Sequence, residues 1–124
     1  MTEQENKLTE QLVDAVVGGI QEQKGTNIAI LDMRKIEGSI CQYFIICDGG
    51  SNTQVDAISD SVYDYVSKKL DQKPYHIEGK ENAEWVLVDY VDVVVHIFQQ
   101  PTRAFYNLEG LWADAKRTNI ENLF

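Results

Sequence analysis

Apolar positions along this chain switch between a helical and an extended period, and the switches mark its elements. Leu8, Leu12, Val16 and Ile20 recur every fourth residue, with Val13 and Val17 beside them and Glu, Gln and Lys between. That spacing predicts an amphipathic helix ending near Gly25. Asn27 to Asp32 reads as a buried strand and Cys41 to Asp48 as a second, joined through Arg34 to Ser39 with Gly38 inside the connection. Gly49-Gly50-Ser51-Asn52 then punctuates the chain. Val55, Ile58, Val62, Tyr65, Val66 and Leu70 carry a helical stripe from about Asn52 to Leu70, for which Ser51 or Asn52 is the expected N-cap.

Pro74 to Ile77 reads as a short strand and Glu78 to Asn82 as a loop. Glu84 to Asp89 and Asp92 to Phe98 are β-rich runs with only Tyr90 and Val91 between their bounding aspartates, the spacing of a hairpin. Beyond Pro101, the run Arg103 to Trp112 sets Phe105, Leu108, Leu111 and Trp112 at helical spacing, which predicts one helix packed back on the hairpin. A closing helical turn or two is expected at Asn119 to Phe124. Strands and helices in this order predict an α/β fold, a mixed five-stranded sheet with helices packed on it. It forms one domain over residues 1–124, with residues 1–5 frayed.

Composition narrows the function. With 124 residues and 44% hydrophobic content, the chain is sized for one core. No apolar stretch approaches the 20 or so residues of a membrane span, and no charged start precedes an apolar run, so a cytoplasmic protein is expected. Cys41 and Cys47 fall in one predicted strand, roughly 20 Å apart at about 3.3 Å per residue. They cannot bridge each other, and buried free thiols in a reducing compartment are the expectation. Eleven basic residues stand against twenty acidic ones, a net charge of −9. Phosphate-backbone recognition needs the opposite balance. Lys68, Lys69 and Lys73 come near one another, but lysines opposing the carbonyl end of a helix are ordinary. Direct nucleic-acid contact is therefore minor or absent, and an acidic domain is suited to docking a basic protein.

The candidate chemistry lies in two places. Gly49-Gly50-Ser51 before a helix, with Asp89 and Asp92 on later strands, suggests a small Mg-dependent nucleotidyltransferase, since a glycine turn at a helix start cradles phosphate and carboxylates bind Mg²⁺. Asp89 and Asp92 flank a turn rather than alternating along one strand, however, and turn-forming Gly and Asp are the better account. His96 sits mid-strand among apolar residues without a supporting cluster, which points to a structural histidine. The second place is the hairpin with its helix. Trp85, Leu87 and Asp89 share one strand face. Either that face meets solvent and Trp85 marks an interface, or a helix covers it and Trp85 is core; both readings stand on sequence. Arg103, Tyr106, Glu109 and Trp112 drift along one side of the predicted helix, either as a solvated Arg–Glu face or as an aromatic and arginine binding stripe.

The tryptophan strand, aspartate turn, His96-Ile97-Phe98 and the run Arg103-x-x-Tyr106-x-Leu108-Glu109-x-Leu111-Trp112 together resemble the ribosomal silencing factor family, also called Iojap-like proteins. The likeness runs from the first helix to about Ala115. It implies a nucleotidyltransferase-like fold without transferase activity and without a cofactor. It also implies a translational repressor that docks on the large ribosomal subunit through its basic fourteenth protein, at the intersubunit face, and keeps the small subunit from joining. A homodimer is a further implication. Carried over residue by residue, the partner-binding positions are Trp85, Leu87, Asp89, Asp92, His96, Tyr106 and Glu109. Gln42 stands where the family usually has aspartate, and Val91 where it commonly has glycine. The second departure implies a turn that needs no positive φ at Val91.

Overall fold

Thr2 opens the first helix, α1 (Glu3–Glu22), by accepting the Glu5 N–H on its hydroxyl at 3.1 Å, while Glu3 and Glu5 set negative charge at the helix's positive end. The helix thus starts inside the stretch expected to fray. This computed structural model describes residues 2–123, so Met1 of that stretch lies outside the described residues. Leu12, Val13, Val16 and Ile20 face inward, whereas Leu8 at the head of the stripe is exposed. The second helix, α2 (Asn52–Leu70), is capped by Ser51, whose hydroxyl accepts the Gln54 N–H, and it buries Val55, Ile58, Val62 and Val66. The two helices pack against each other at Gly19, where a Cβ would come within 2.8 Å of the Val62 Cα. No described helix is long and apolar enough to cross a membrane.

The strands are β1 (Thr26–Asp32), β2 (Tyr43–Gly49), β3 (His76–Glu78), β4 (Trp85–Asp89), β5 (Val93–Gln99) and β6 (Lys116–Asn119). They form one open mixed sheet in the order β3-β4-β5-β2-β1-β6, with β2 and β5 parallel and the other neighbours antiparallel. The expected α/β sheet is present, with six strands rather than five. The added strand is β6, which pairs Lys116 to Asn119 with Asp32 to Ala29. All four of its residues are exposed, so neither face carries the apolar alternation that announces a strand. Its backbone ladder to β1 defines it. The closing helix expected from Asn119 is not formed: Asn119 ends β6, Ile120 donates its N–H to the Ile28 carbonyl at 2.9 Å, and Phe124 lies outside the described residues.

Central strands β2 and β5 are buried along almost their whole length, as continuous apolar runs require. One sheet face, with Ile28, Tyr43, Ile45, Cys47, Val86, Val88, Val93, Val95 and Ile97, packs under α1 and α2. The other face, with Leu31, Phe44, Ile46, Val94 and Phe98, packs against the loop through Met33 and Ile36 and the segment from Leu108 to Ala115. Cys47 lies within β2 and Cys41 just before it; both are free and buried, and burial raises both thiol pKa values, that of Cys41 to about 11. They are inert fillers of the core.

Two local expectations fail for identifiable reasons. The predicted single helix from Arg103 to Trp112 is two, α3 (Gln100–Tyr106) and α4 (Leu108–Leu111), because Asn107 adopts a left-handed conformation at φ 46°. Asparagine tolerates that conformation, and the break resets the helical phase. Of the two residues expected to pack inward, Leu111, beyond the break, is 73% exposed, and Phe105 is 81% exposed because α3 turns Arg103 inward instead. Val91 does take positive φ, at 74°. The hairpin reverses within Tyr90 and Val91: the Tyr90 N–H donates to the Val93 carbonyl at 2.9 Å, and the Asp92 N–H to the Tyr90 carbonyl at 3.0 Å. Val91 sits at the centre of that three-residue closure, where the tight geometry overrides the preference of a β-branched side chain.

Candidate docking surface

The sheet face away from α1 and α2 is built from cross-strand rows. On β4 the burial alternates, Val86 and Val88 inward to the helices, Trp85, Leu87 and Asp89 on the opposite face. Antiparallel register sets Trp85 opposite Phe98, Leu87 opposite His96 and Asp89 opposite Val94. Both sequence readings of Trp85 are therefore partly right: it is half-buried, stacked on Phe98 at 4.9 Å between ring centroids, with the Tyr106 ring also at 4.9 Å. Tyr106 in turn meets Phe105 edge-on at 5.1 Å. A continuous aromatic run reaches from the buried Phe98 through Trp85 and Tyr106 to the solvent-facing Phe105, with exposed Leu111 on the next short helix. An exposed apolar cluster of this kind, centred on Trp and Tyr, is the residue chemistry of an interface.

His96 lies beneath this surface. Its Nδ1 accepts the Trp85 indole N–H at 3.1 Å, and its ring meets Phe44 edge-on at 4.8 Å. Burial pushes its pKa down to about 4, against a smaller upward pull from the Asp89 carboxylate. It is a neutral structural histidine.

The other predicted positions are differently placed. Asp89 shares the face, but its Oδ1 accepts the Val91 N–H at 2.7 Å and its Oδ2 lies 3.7 Å from His76 Nδ1. Asp92 is exposed in the turn and lines a groove with Leu8, Leu12, Lys68 and Lys69, beside the helices rather than the aromatic run. Glu109 turns into a cluster around Arg103, which it meets at 3.2 Å, with Arg117 at 3.9 Å. Arg103 is not the solvated residue of the simpler sequence reading. It is buried, pairs with the buried Asp48 at 3.1 Å and donates to the Asn27 carbonyl at 2.6 Å, tying α3 and α4 to the ends of β1 and β2. Sequence reasoning missed Phe105 and Leu111 as surface residues; the signal for Leu111 was Asn107, a turn-tolerant residue midway through the supposed helix.

The glycine turn offers little room for phosphate. The Gln54 side chain accepts the Gly50 N–H at 2.8 Å and donates to the Lys24 carbonyl at 3.2 Å, so that N–H, which a phosphate would need, already has an acceptor. Among the described residues, no group of three or more His, Cys, Asp or Glu is placed to hold a metal ion. Asp89 and Asp92, the carboxylates of the nucleotidyltransferase alternative, serve the hairpin turn and the rim of a groove.

The family described as "Ribosomal silencing factor during starvation" matches residues 6–123. The chain is 37% identical over 118 residues to the ribosomal silencing factor of Halalkalibacterium halodurans, covering 92% of this chain and 96% of that one. It is 42% identical over 92 residues to the chloroplastic protein Iojap of Zea mays, covering 74% of this chain and 39% of the longer plant protein. A crystal structure of a Chromobacterium violaceum protein superposes with a TM-score of 0.79 at 33% identity, covering 92% of this chain and 94% of that one.

Proposed function

The chain belongs to the ribosomal silencing factor family, and on that premise we propose that it represses translation by occlusion. It docks on the large ribosomal subunit through the basic fourteenth protein of that subunit, at the intersubunit face, and its bulk keeps the small subunit from joining. The observation that carries this reading is the aromatic run from half-buried Trp85 to exposed Tyr106 and Phe105, with Leu111 exposed on the next helix, on a chain of net charge −9. Apolar anchors supply residence time, and the acidic balance steers encounter with a basic partner and disfavours naked phosphate. No catalytic step and no cofactor enter this mechanism, which needs affinity and size alone. Free of the ribosome, the same surface pairs with a second copy of the chain, so that self-association and docking compete.

Cosedimentation with separated ribosomal subunits, followed by titration of subunit joining, tests the reading. Selective association with the large subunit and fewer joined ribosomes are expected. A protein that binds neither subunit at micromolar concentration would sink the proposal.

A further inference from the structure

His96 is 4% exposed on β5 and lies opposite Leu87 in register, with Phe44 and Phe98 against its ring. Leucine or phenylalanine would fill such a site if packing were its whole purpose. Instead its Nδ1 accepts the Trp85 indole N–H. To accept, Nδ1 must be unprotonated, which puts the ring proton on Nε2, and that atom is buried without an acceptor among the described residues. A polar ring is thus kept in an apolar layer at the expense of an unmet donor. What the arrangement secures is one orientation of the indole.

We propose that His96 is a positioning residue for docking: it locks the Trp85 indole against Phe98 so that the surface beside Tyr106 is presented in a single conformation. This rests on the docking reading above. An indole held by packing alone samples several rotamers, and a partner must then select one. Ordering a side chain on binding weakens affinity by roughly threefold to tenfold, and the hydrogen bond to His96 removes that loss beforehand.

The chain has two tryptophans, so in a Trp112→Phe background the fluorescence reports Trp85 alone. His96→Leu removes the acceptor at similar volume. His96→Asn restores a carbonyl oxygen near the place of Nδ1. Expected for His96→Leu are a longer-wavelength emission, lower anisotropy and large-subunit affinity reduced about threefold to tenfold; His96→Asn should hold all three near the parent. A merely structural role would instead make emission and affinity follow the unfolding midpoints of the variants, whichever carries the acceptor, and that result overturns the proposal. Parental emission and affinity in His96→Leu overturn it as well. If Trp85→Ala leaves affinity unchanged, the docking reading fails separately, while the emission of the two His96 variants still decides whether histidine holds the indole. Should His96→Leu fail to fold, exchange of the Trp85 indole proton in the Trp112→Phe protein decides: slow exchange is expected, and fast exchange overturns the lock.

Discussion

Trp85 and His96 are hydrogen-bonded at 3.1 Å across the β4–β5 ladder although neither is the other's register partner. The bond runs on the diagonal, from a residue paired with Phe98 to one paired with Leu87, a separation that long aromatic side chains can span. It joins the half-buried tryptophan to a buried ring, and so ties the aromatic run beside Tyr106 to the interior of the sheet.

Burial of the His96 ring makes stability pH-dependent. His96 is neutral in the fold, with its pKa lowered to about 4, whereas in the unfolded chain it titrates near 6.5. Between those values the unfolded state binds the extra proton, so stability falls as pH drops from about 6.5 toward about 4. Roughly 2 kcal/mol should be lost by pH 5 through this group, measured by urea unfolding across the range. In His96→Asn this part of the slope should vanish; an unchanged slope would assign it to other groups.

Val91 should respond to glycine substitution with a gain. Its φ of 74° is strained for a β-branched side chain, and the side chain itself is exposed. Val91→Gly relieves strain of about 1–3 kcal/mol against a glycine entropy penalty of about 0.5–1 kcal/mol. A raised unfolding midpoint is expected in calorimetry, and a lowered one would show that the turn carries no strain.

Gly19→Ala should act in the opposite sense. Alanine favours a helix interior by about 1 kcal/mol, yet its Cβ would meet the Val62 backbone at 2.8 Å. Because backbone rather than a flexible side-chain end is in the way, overpacking of about 1–3 kcal/mol prevails and the helices must move apart. Chemical denaturation gives the sign directly.

Arg103→Leu should destabilise by about 3 kcal/mol, since it strands Asp48 in a buried position and frees Glu109 from α3. Guanidinium-free denaturation in urea, which leaves ion pairs unscreened, is the suitable measurement. A loss under about 1 kcal/mol would mean that the remaining donors to Asp48, from Thr26, Asn27 and Gln100, satisfy it unaided.

Phe105→Ser and Leu111→Ser should separate binding from folding. Both side chains are largely exposed, so unfolding midpoints should shift little. Large-subunit association should fall by tenfold or so if these side chains are anchors of the interface. Unchanged association in both would move the docking surface elsewhere on the chain.

By itself the sequence determined the elements that bury an apolar face. Helices α1 and α2, strands β1 to β5 and the β4–β5 hairpin were legible because a period of 3.6 or 2 in the apolar residues reports directly which side of a segment leaves water. The family was legible too, from the run between Trp85 and Trp112. Tertiary structure alone decided what periodicity does not encode. Strand β6 exists through a backbone ladder to β1, with no buried side chain to mark it. The helix beyond Pro101 breaks where Asn107 turns left-handed, so the residues after it no longer continue the stripe of α3, whose buried residue is Arg103 with Phe105 left exposed. Arg103 does meet Glu109, as the simpler sequence reading had it, but in a buried position where it also pairs with Asp48, a partner 55 residues away in sequence. Trp85 could be assigned to neither core nor surface until register set it over Phe98 and within reach of His96. Local pattern fixes which residues avoid water; which of them meet one another depends on strand order and register, and these belong to the folded chain as a whole.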